Sequence, residues 1–272
     1  MGSQPFLLYL SFYSVHTPLQ AKPELIAKYE EKRKGVHYEG PLWKPEGERM
    51  ARQVQEHAVY AGMIESMDTA VGRVLGTLDR LGLADRTAVF FMSDNGGLST
   101  SEGSPTSNVP LRAGKGWLYE GGIREPMIVK WPGVARPGSV CSVPVISTDF
   151  YPTILDMAGL PLRPTQHVDG VSLVPLLRQT GGISREALFW HYPHYGNQGG
   201  SPGSAVRAGD WKLIEFFEDG RLELYNLKDD LGEQHNLAAE QPGKTAELHR
   251  MLTDWRQAVG ARLPKPNPNR NP

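Results

Sequence analysis

Residues Ala88–Met92 (AVFFM) form an apolar run with no polar break, and it stops abruptly at Ser93-Asp94-Asn95-Gly96-Gly97. A strand that is apolar on both faces belongs in a parallel sheet covered by helices on each side. In an open α/β sheet, ligands collect just beyond the carboxyl ends of the strands. Asp94 and Asn95 offer the oxygens that calcium or magnesium takes as ligands. Gly96 and Gly97 let the backbone turn close to whatever is held there. The same residues also read as an ordinary turn, because Asp, Asn and Gly dominate turns.

The segments upstream fit this frame. Apolar residues at Val54, Ala58, Ala61, Ile64, Met67, Val71, Val74, Leu78 and Leu81 follow three-and-four spacing and predict a helix over 54–81. Gly82 stands where a helix stop belongs. Phe6–Tyr13 (FLLYLSFY) reads as a further buried strand that ends at His16-Thr17-Pro18. Strand, helix and strand make a crossover that predicts parallel pairing and brings His16 to the same sheet edge as Asp94 and Asn95. A single histidine at such a point reads either as a proton carrier or as a hydrogen-bonded structural residue. The stretch Lys22–Arg49 reads as a partly helical surface excursion, and Glu65 and Asp68 as solvated helix positions.

Downstream, Ser99–Asn108 is a Ser/Thr/Gly/Pro loop and Pro110–Pro126 is rich in glycine. Lys115 sits between Gly114 and Gly116, so its backbone can approach a ligand closely; it reads as an anion contact or as a solvated lysine in a loop. The Gly-Lys order is not that of a phosphate-binding P-loop. Met127–Trp131 and Val143–Ile146 read as short strands. A helix over 149–158 starts with Asp149 as N-terminal charge and stops at Gly159. The composition changes around Thr180–Arg185. Four strands are expected after it, at 187–191, 204–208, 211–217 and 223–226, joined by Gly209-Asp210 and Asp219-Gly220 turns, then a helix over 244–261. The division expected is an α/β unit over 1–180, an antiparallel-sheet unit over 181–263 and a disordered Pro/Asn-rich tail over 264–272. His191 and His194, in Trp190–Tyr195, are candidates for lining a substrate pocket, with a packing role as the alternative; zinc binding is poorly supported by two histidines alone.

Composition narrows the partners. A formal net charge of −1 gives no basis for nucleic acid as a partner. No apolar run approaches the ~20 residues of a membrane span. One cysteine, Cys141, excludes an internal disulfide framework. No basic stretch precedes the apolar run at 6–12, so the N-terminus does not read as a signal peptide. A chain that opens on a core strand is expected to have lost its beginning, and unpaired apolar edges are expected to favour self-association.

Taken together, the segments resemble the sulfatase family of the alkaline phosphatase superfamily, across nearly the whole chain and in order. The matching pieces are His16-Thr17-Pro18, the helix with Tyr60 and Asp68-x-x-x-Gly72, SDNGG, LRAGKGWLYEGGIREPMIVKWPG, STDFYPTILDMAGL and the closing GDWKLI and LELYNLKDDLGEQHNLA stretches. The resemblance implies an alkaline phosphatase-like α/β fold, incomplete at its N-terminus, with a small C-terminal α+β subdomain. It implies that Asp94 and Asn95 are calcium ligands, that Lys115 contacts the sulfate, and that His16 lies beside the sulfate and its leaving oxygen. The family's nucleophile is a formylglycine made within Cys/Ser-x-Pro-x-Arg. That motif is absent here, since Cys141-Ser142-Val143-Pro144 sets the proline one residue late and lacks the arginine. The early paired aspartates are absent too. The expectation is therefore the C-terminal portion of a sulfatase, inactive alone, whose full-length form is periplasmic or secreted with its signal upstream. The alternatives are a phosphoesterase of the same superfamily or a non-catalytic binding protein on this scaffold.

Overall fold

The computed structural model describes residues 4–265. Most of the tail predicted to be disordered lies outside the described residues.

Helix α1 (Pro23–Arg33) opens with proline in its first turn, where the missing amide costs nothing. A hairpin follows, β1 (Trp43–Glu46) with β2 (Arg49–Arg52), turning through Gly47 at φ 53°. It falls in the stretch expected to be a surface excursion; four-residue strands are too short to show an alternating pattern. Helix α2 (Ala58–Arg80) is capped by His57, whose ring accepts the Tyr60 amide. It ends as predicted. Gly82, at φ 63°, donates to Asp79 O, and Leu83 donates to Leu78 O, the paired bonds of a Schellman stop. Helices α1 and α2 meet closely at Gly62, where a Cβ would come within 3.3 Å of Leu25 Cβ in α1 and 2.9 Å of Ala21 Cβ just before it.

Strand β3 (Val89–Met92) forms where the apolar run predicts it. Its partner is β4 (Met127–Lys130), paired antiparallel with Val89 opposite Lys130, and the single-turn helix α3 (Glu120–Ile123) lies between them in sequence. The predicted strand Phe6–Tyr13 does not form. Among the described residues it pairs with no strand, and all its apolar side chains but the half-buried Phe12 stand in solvent, Tyr9 at 89% exposure. Backbone groups of an apolar run become a strand only where a neighbour satisfies them, so the expected parallel crossover is not closed within this chain. Val143–Ile146 likewise stays irregular. Helix α4 (Phe150–Met157) packs Phe150 edge-on against Phe90 of β3 at 5.4 Å. Asp149, fully buried, accepts from the amides of Ile146 and Val171 and pairs with Arg185 at 2.6 Å. Its role is to tie three segments, more than to complement a helix dipole. A further single turn, α5 (Val174–Leu177), leads toward the second half.

The second half is a four-stranded antiparallel meander: β5 (Leu188–Tyr192), β6 (Gly203–Ala208), β7 (Trp211–Phe216) and β8 (Leu222–Asn226), followed by α6 (Pro242–Ala258). The strands lie within a residue of their predicted places and α6 within three of its own; the two-residue Gly209-Asp210 turn fixes the register of β6 on β7. The alternation builds two cores. Val206, Leu213 and Leu224 face α6 and pack on Leu248 and Leu252. Each such leucine, fully buried, contributes about 1.5–3 kcal/mol. Ala205, Ile214, Phe216 and Tyr225 face the other way and pack on Ala113, Trp117, Leu118 and Tyr119. The sheet is thus filled on one side by its own helix and on the other by the glycine-rich segment that carries Lys115.

Candidate active site

The glycine-rich segment holds its shape through contacts that only glycine allows. A Cβ on Gly121 would fall 2.3 Å from Arg112 O, and one on Gly122 would fall 2.1 Å from Trp117 O. The segment is bolted to the C-terminal sheet by charge. Arg112 makes a fork onto Glu46 of β1, at 2.7–3.1 Å, and reaches Tyr225 Oη and Glu233 O. Glu120 opens α3 with its side chain fully buried, facing Lys212 Nζ at 3.1 Å and Arg207 at 3.3 Å. Lys212, with no solvent exposure, also lies 2.9 Å from Glu233 Oε1. Glu233 Oε2 accepts the Glu120 amide at 2.6 Å.

This frame sets the strand end and the lysine against each other. Gly97 O accepts the Lys115 amide at 3.2 Å and the Asn108 side-chain amide at 2.8 Å. Asn108 also accepts from Gly97 N at 3.0 Å and donates to Ala113 O at 2.9 Å. One asparagine side chain therefore satisfies the backbone of both loops. Nothing marked it in the sequence beyond its place at the end of a polar loop. The Lys115 ammonium extends from a half-buried position, and among the described residues no hydrogen bond or ion pair occupies it.

Asp94 is exposed just beyond β3, and its Oδ1 accepts from the Asn95 side chain at 3.2 Å. Nearby, burial pushes the Glu125 carboxyl up to about 7, and the negative charge of Asp94 adds to the shift. Glu125 Oε1 is buried and has no hydrogen-bond partner. His16 is exposed, with Nδ1 donating to Thr17 O at 2.8 Å, which leaves Nε2 as the nitrogen open to a ligand. A third residue, Glu102, lies within electrostatic reach of both His16 and Lys115. Its carboxylate accepts from Thr17 and Asn197, both at 2.7 Å, and these bonds hold it below the usual carboxylate range; the charges of His16 and Lys115 act in the same direction. The structure thus bonds Glu102 to the residue after His16 and to the loop that covers Gly116, and joins the Lys115 backbone to the turn of Asp94-Asn95 through Gly97.

The two aromatic-segment histidines separate. His191 points to the α6 face of the sheet, where it bonds Ser204 Oγ at 2.7 Å and Arg262 O at 2.9 Å beside Phe217. That is the face opposite the lysine segment, a consequence of strand alternation around Trp190 and Tyr192. His194 is exposed and packs edge-on to Tyr192 at 5.4 Å, at the border of the loop that touches Gly116 through Gln198.

A model described as Sulfatase matches residues 1–160. The chain belongs to the sulfatase family. A second model, for the C-terminal region of N-sulphoglucosamine sulphohydrolase, matches 113–258, the segment from the lysine loop through α6. Among relatives, a sulfatase of Formosa agariphila is 39% identical over 89% of this chain and 44% of its own length. Human arylsulfatase A is 34% identical over 71% of this chain and 41% of its own length. Among solved structures, that of Ps i-CgsB in complex with k-i-k-neocarrahexaose superposes with a TM-score of 0.74 at 29% identity, covering 93% of this chain and 50% of that one. A protein crystallised with its substrate, D-glucosamine-2-N,6-O-disulfate, superposes with a TM-score of 0.62 at 28% identity over 75% of this chain and 41% of that one. The chain thus spans about half the length of the sulfatases it matches. The fold class is the alkaline phosphatase-like α/β arrangement, with the small antiparallel sheet and helix at the C-terminal end. No helix among the described residues is long and apolar enough to cross a membrane.

The oxygens of Asp94 and Asn95 suit a hard cation in kind, and the buried Glu125 Oε1, within electrostatic reach of Asp94, has no hydrogen-bond partner. They do not suffice in number. Calcium takes six to eight oxygens, and among the described residues no group of three or more His, Cys, Asp or Glu is close enough to hold a metal.

The Glu125 environment carries a pH prediction. Its folded-state pKa is raised, so the native state binds the proton more tightly than the unfolded chain does. Native stability therefore falls as pH rises from about 4.5, the ordinary glutamate value, through about 7. Glu125→Gln removes the ionisation. The variant is expected to match the parent near pH 5 and to exceed it by about 1 kcal/mol at pH 8.5, a figure reduced from the full shift because the residue is only half-buried. Urea midpoints at the two pH values measure this, and a parent–variant difference independent of pH would refute it.

Proposed function

We propose that this chain carries the anion-recognition part of a sulfatase that hydrolyses sulfate esters of carbohydrates. The observation supporting this most is the Lys115 N–H bond to Gly97 O at 3.2 Å, which sets the backbone of a glycine-flanked lysine beside the turn bearing Asp94 and Asn95. As an S–O bond breaks, negative charge grows on the leaving oxygen. An ammonium aimed at the sulfate and a histidine with Nε2 free to donate a proton both favour that change. Asp94 and Asn95 would supply part of a calcium site, with magnesium as the alternative, whose remaining ligands would come from outside the described residues; such a site would supply charge neutralisation at the sulfate. The formylglycine nucleophile lies outside this chain, and the chain alone is expected to be inactive. Sulfated carbohydrates are favoured over simple aryl sulfates because the solved relatives named above were crystallised with sugars. A periplasmic or secreted location for the longer protein accords with such a substrate.

The test uses the longer protein that carries Cys/Ser-x-Pro-x-Arg upstream of this segment, beside the 272-residue chain. With 4-nitrophenyl sulfate and with sulfated oligosaccharides, Lys115→Ala is expected to lower kcat/KM of the longer protein roughly 10²–10³-fold, the scale of one preorganised charge-stabilising donor. Calcium chelation is expected to abolish the activity. Turnover by the 272-residue chain alone, or a preference of the longer protein for 4-nitrophenyl phosphate, would overturn the reading.

A further inference from the structure

We infer that Glu102 is a positioning residue whose carboxylate clasps the histidine turn to the loops around the lysine. One oxygen takes the Thr17 hydroxyl at 2.7 Å, next to His16 in the chain; the other takes the Asn197 amide, also at 2.7 Å. Asn197 precedes Gln198, whose carbonyl accepts from Thr100 Oγ1 at 2.8 Å and from Trp117 Nε1 at 3.1 Å. Gln198 also covers Gly116, where a Cβ would meet its side chain at 2.7 Å. A single carboxylate thus joins segments 85 and 95 residues away in sequence, one ending in the imidazole and the other seated on the lysine turn.

Two further features favour a dedicated clasp over a chance surface contact. Glu102 adopts φ 51°, the left-handed region that side chains other than glycine, Asn and Asp rarely occupy, and Ser104 two residues on does the same at φ 43°. Such a backbone persists where surrounding bonds hold it. The loop has those bonds: Ser104 N donates to Ser101 O at 2.7 Å, and Arg52 donates to Ser104 O. The N-terminal segment, by contrast, has few other anchors, since Phe6–Leu10 stand exposed. Without the clasp the imidazole has little to fix it relative to the ammonium.

The consequence for chemistry rests on reading His16 and Lys115 as the sulfate-facing pair. The clasp itself does not, and amide hydrogen exchange on the 272-residue chain decides it. Glu102→Ala is expected to speed exchange about tenfold in peptides covering 14–18 and 195–200, with no change in β6, β7 or α6. Thr17→Val is expected to reproduce the effect at 14–18 alone. The reciprocal pair Glu102→Gln with Asn197→Asp restores one carboxylate and one amide across the gap and is expected to recover the parent's exchange. Unchanged exchange at 14–18 in Glu102→Ala, or no recovery in the reciprocal pair, overturns the clasp. Calorimetric titration with sodium sulfate then separates the two readings. A tenfold weaker affinity in Glu102→Ala supports positioning, and equal affinity overturns it. A parent chain that binds no sulfate counts against the anion site while the exchange result still decides the clasp.

Discussion

Lys212→Met is expected to destabilise the chain by about 3–5 kcal/mol at pH 7.5, the usual cost of breaking a buried ion pair from one side. Methionine fits the volume of the lysine stem but supplies no charge. Two carboxylates would remain, Glu120 and Glu233, both buried and linked only by the Glu120 amide. Arg207 still reaches Glu120 at 3.3 Å. Glu233 would lose the ammonium 2.9 Å away and keep no positive partner. Its carboxyl already lies above the usual range because burial outweighs the lysine's opposing pull. With the lysine gone it would rise further, so the variant's native state would take up a proton as pH falls. The deficit should therefore shrink between pH 7.5 and pH 5. Thermal unfolding reports this as a drop of roughly 10 °C at the higher pH. Adding Glu233→Gln should recover part of the loss, since the pair shares one interaction and their effects cannot add. A drop under 2 °C, or a loss that grows on acidification, would show that the network carries no such load.

That network explains why the residues proposed for the site carry a local sequence signal and the residues that support them do not. Lys115, flanked by glycines, and Asp94-Asn95, after an apolar run, announce themselves by local pattern. The C-terminal strands do too, because alternation and Gly-containing turns fix both their places and their faces. Lys212 gives no such signal. It sits in an alternating strand where a lysine ordinarily points to solvent, and its burial depends on the glycine segment 90 residues earlier arriving on the same face. Glu120, Glu233 and Asn108 are hidden for the same reason: each satisfies groups that are distant in sequence.

The departures from expectation have separate physical reasons. Phe6–Tyr13 has the composition of a core strand, and composition describes what a segment would do beside a partner. Among the described residues none is adjacent, and the run stays exposed. β3 finds β4 antiparallel because Met127–Lys130 is the neighbour this chain supplies. His191 belongs to an aromatic-rich segment. Strand alternation then sends it toward α6 while Trp190 and Tyr192 go to the lysine side. Face, more than identity, decides which member of such a cluster can meet a substrate.

Backbone contact between the two loops gives the second large effect, at Gly96. Its amide donates to Gly122 O at 3.1 Å, and a Cβ built there would stand 1.7 Å from Gly121 O and 2.7 Å from Gly121 C. These are backbone atoms and cannot rotate aside. Nor can α3 retreat, because Gly121 N is bonded to Arg112 O at 2.8 Å and Glu120 is pinned by Lys212. In Gly96→Ala the strand-end turn must therefore move, carrying Asp94 and Asn95 away from the lysine segment and stretching the bond from Lys115 N to Gly97 O. Overpacking of this kind costs about 3 kcal/mol where no side chain can yield, or roughly 10 °C in thermal unfolding. Sulfate binding, if the ammonium and the turn act together, should weaken at least tenfold in the same variant. Gly72→Ala is the matched control. Nothing lies within 4 Å of its Cβ position in mid-α2, and alanine there should be neutral or stabilising by up to about 1 kcal/mol through helix propensity. Equal unfolding temperatures for the two variants would mean that the turn and the glycine segment are not in the backbone contact that defines this site.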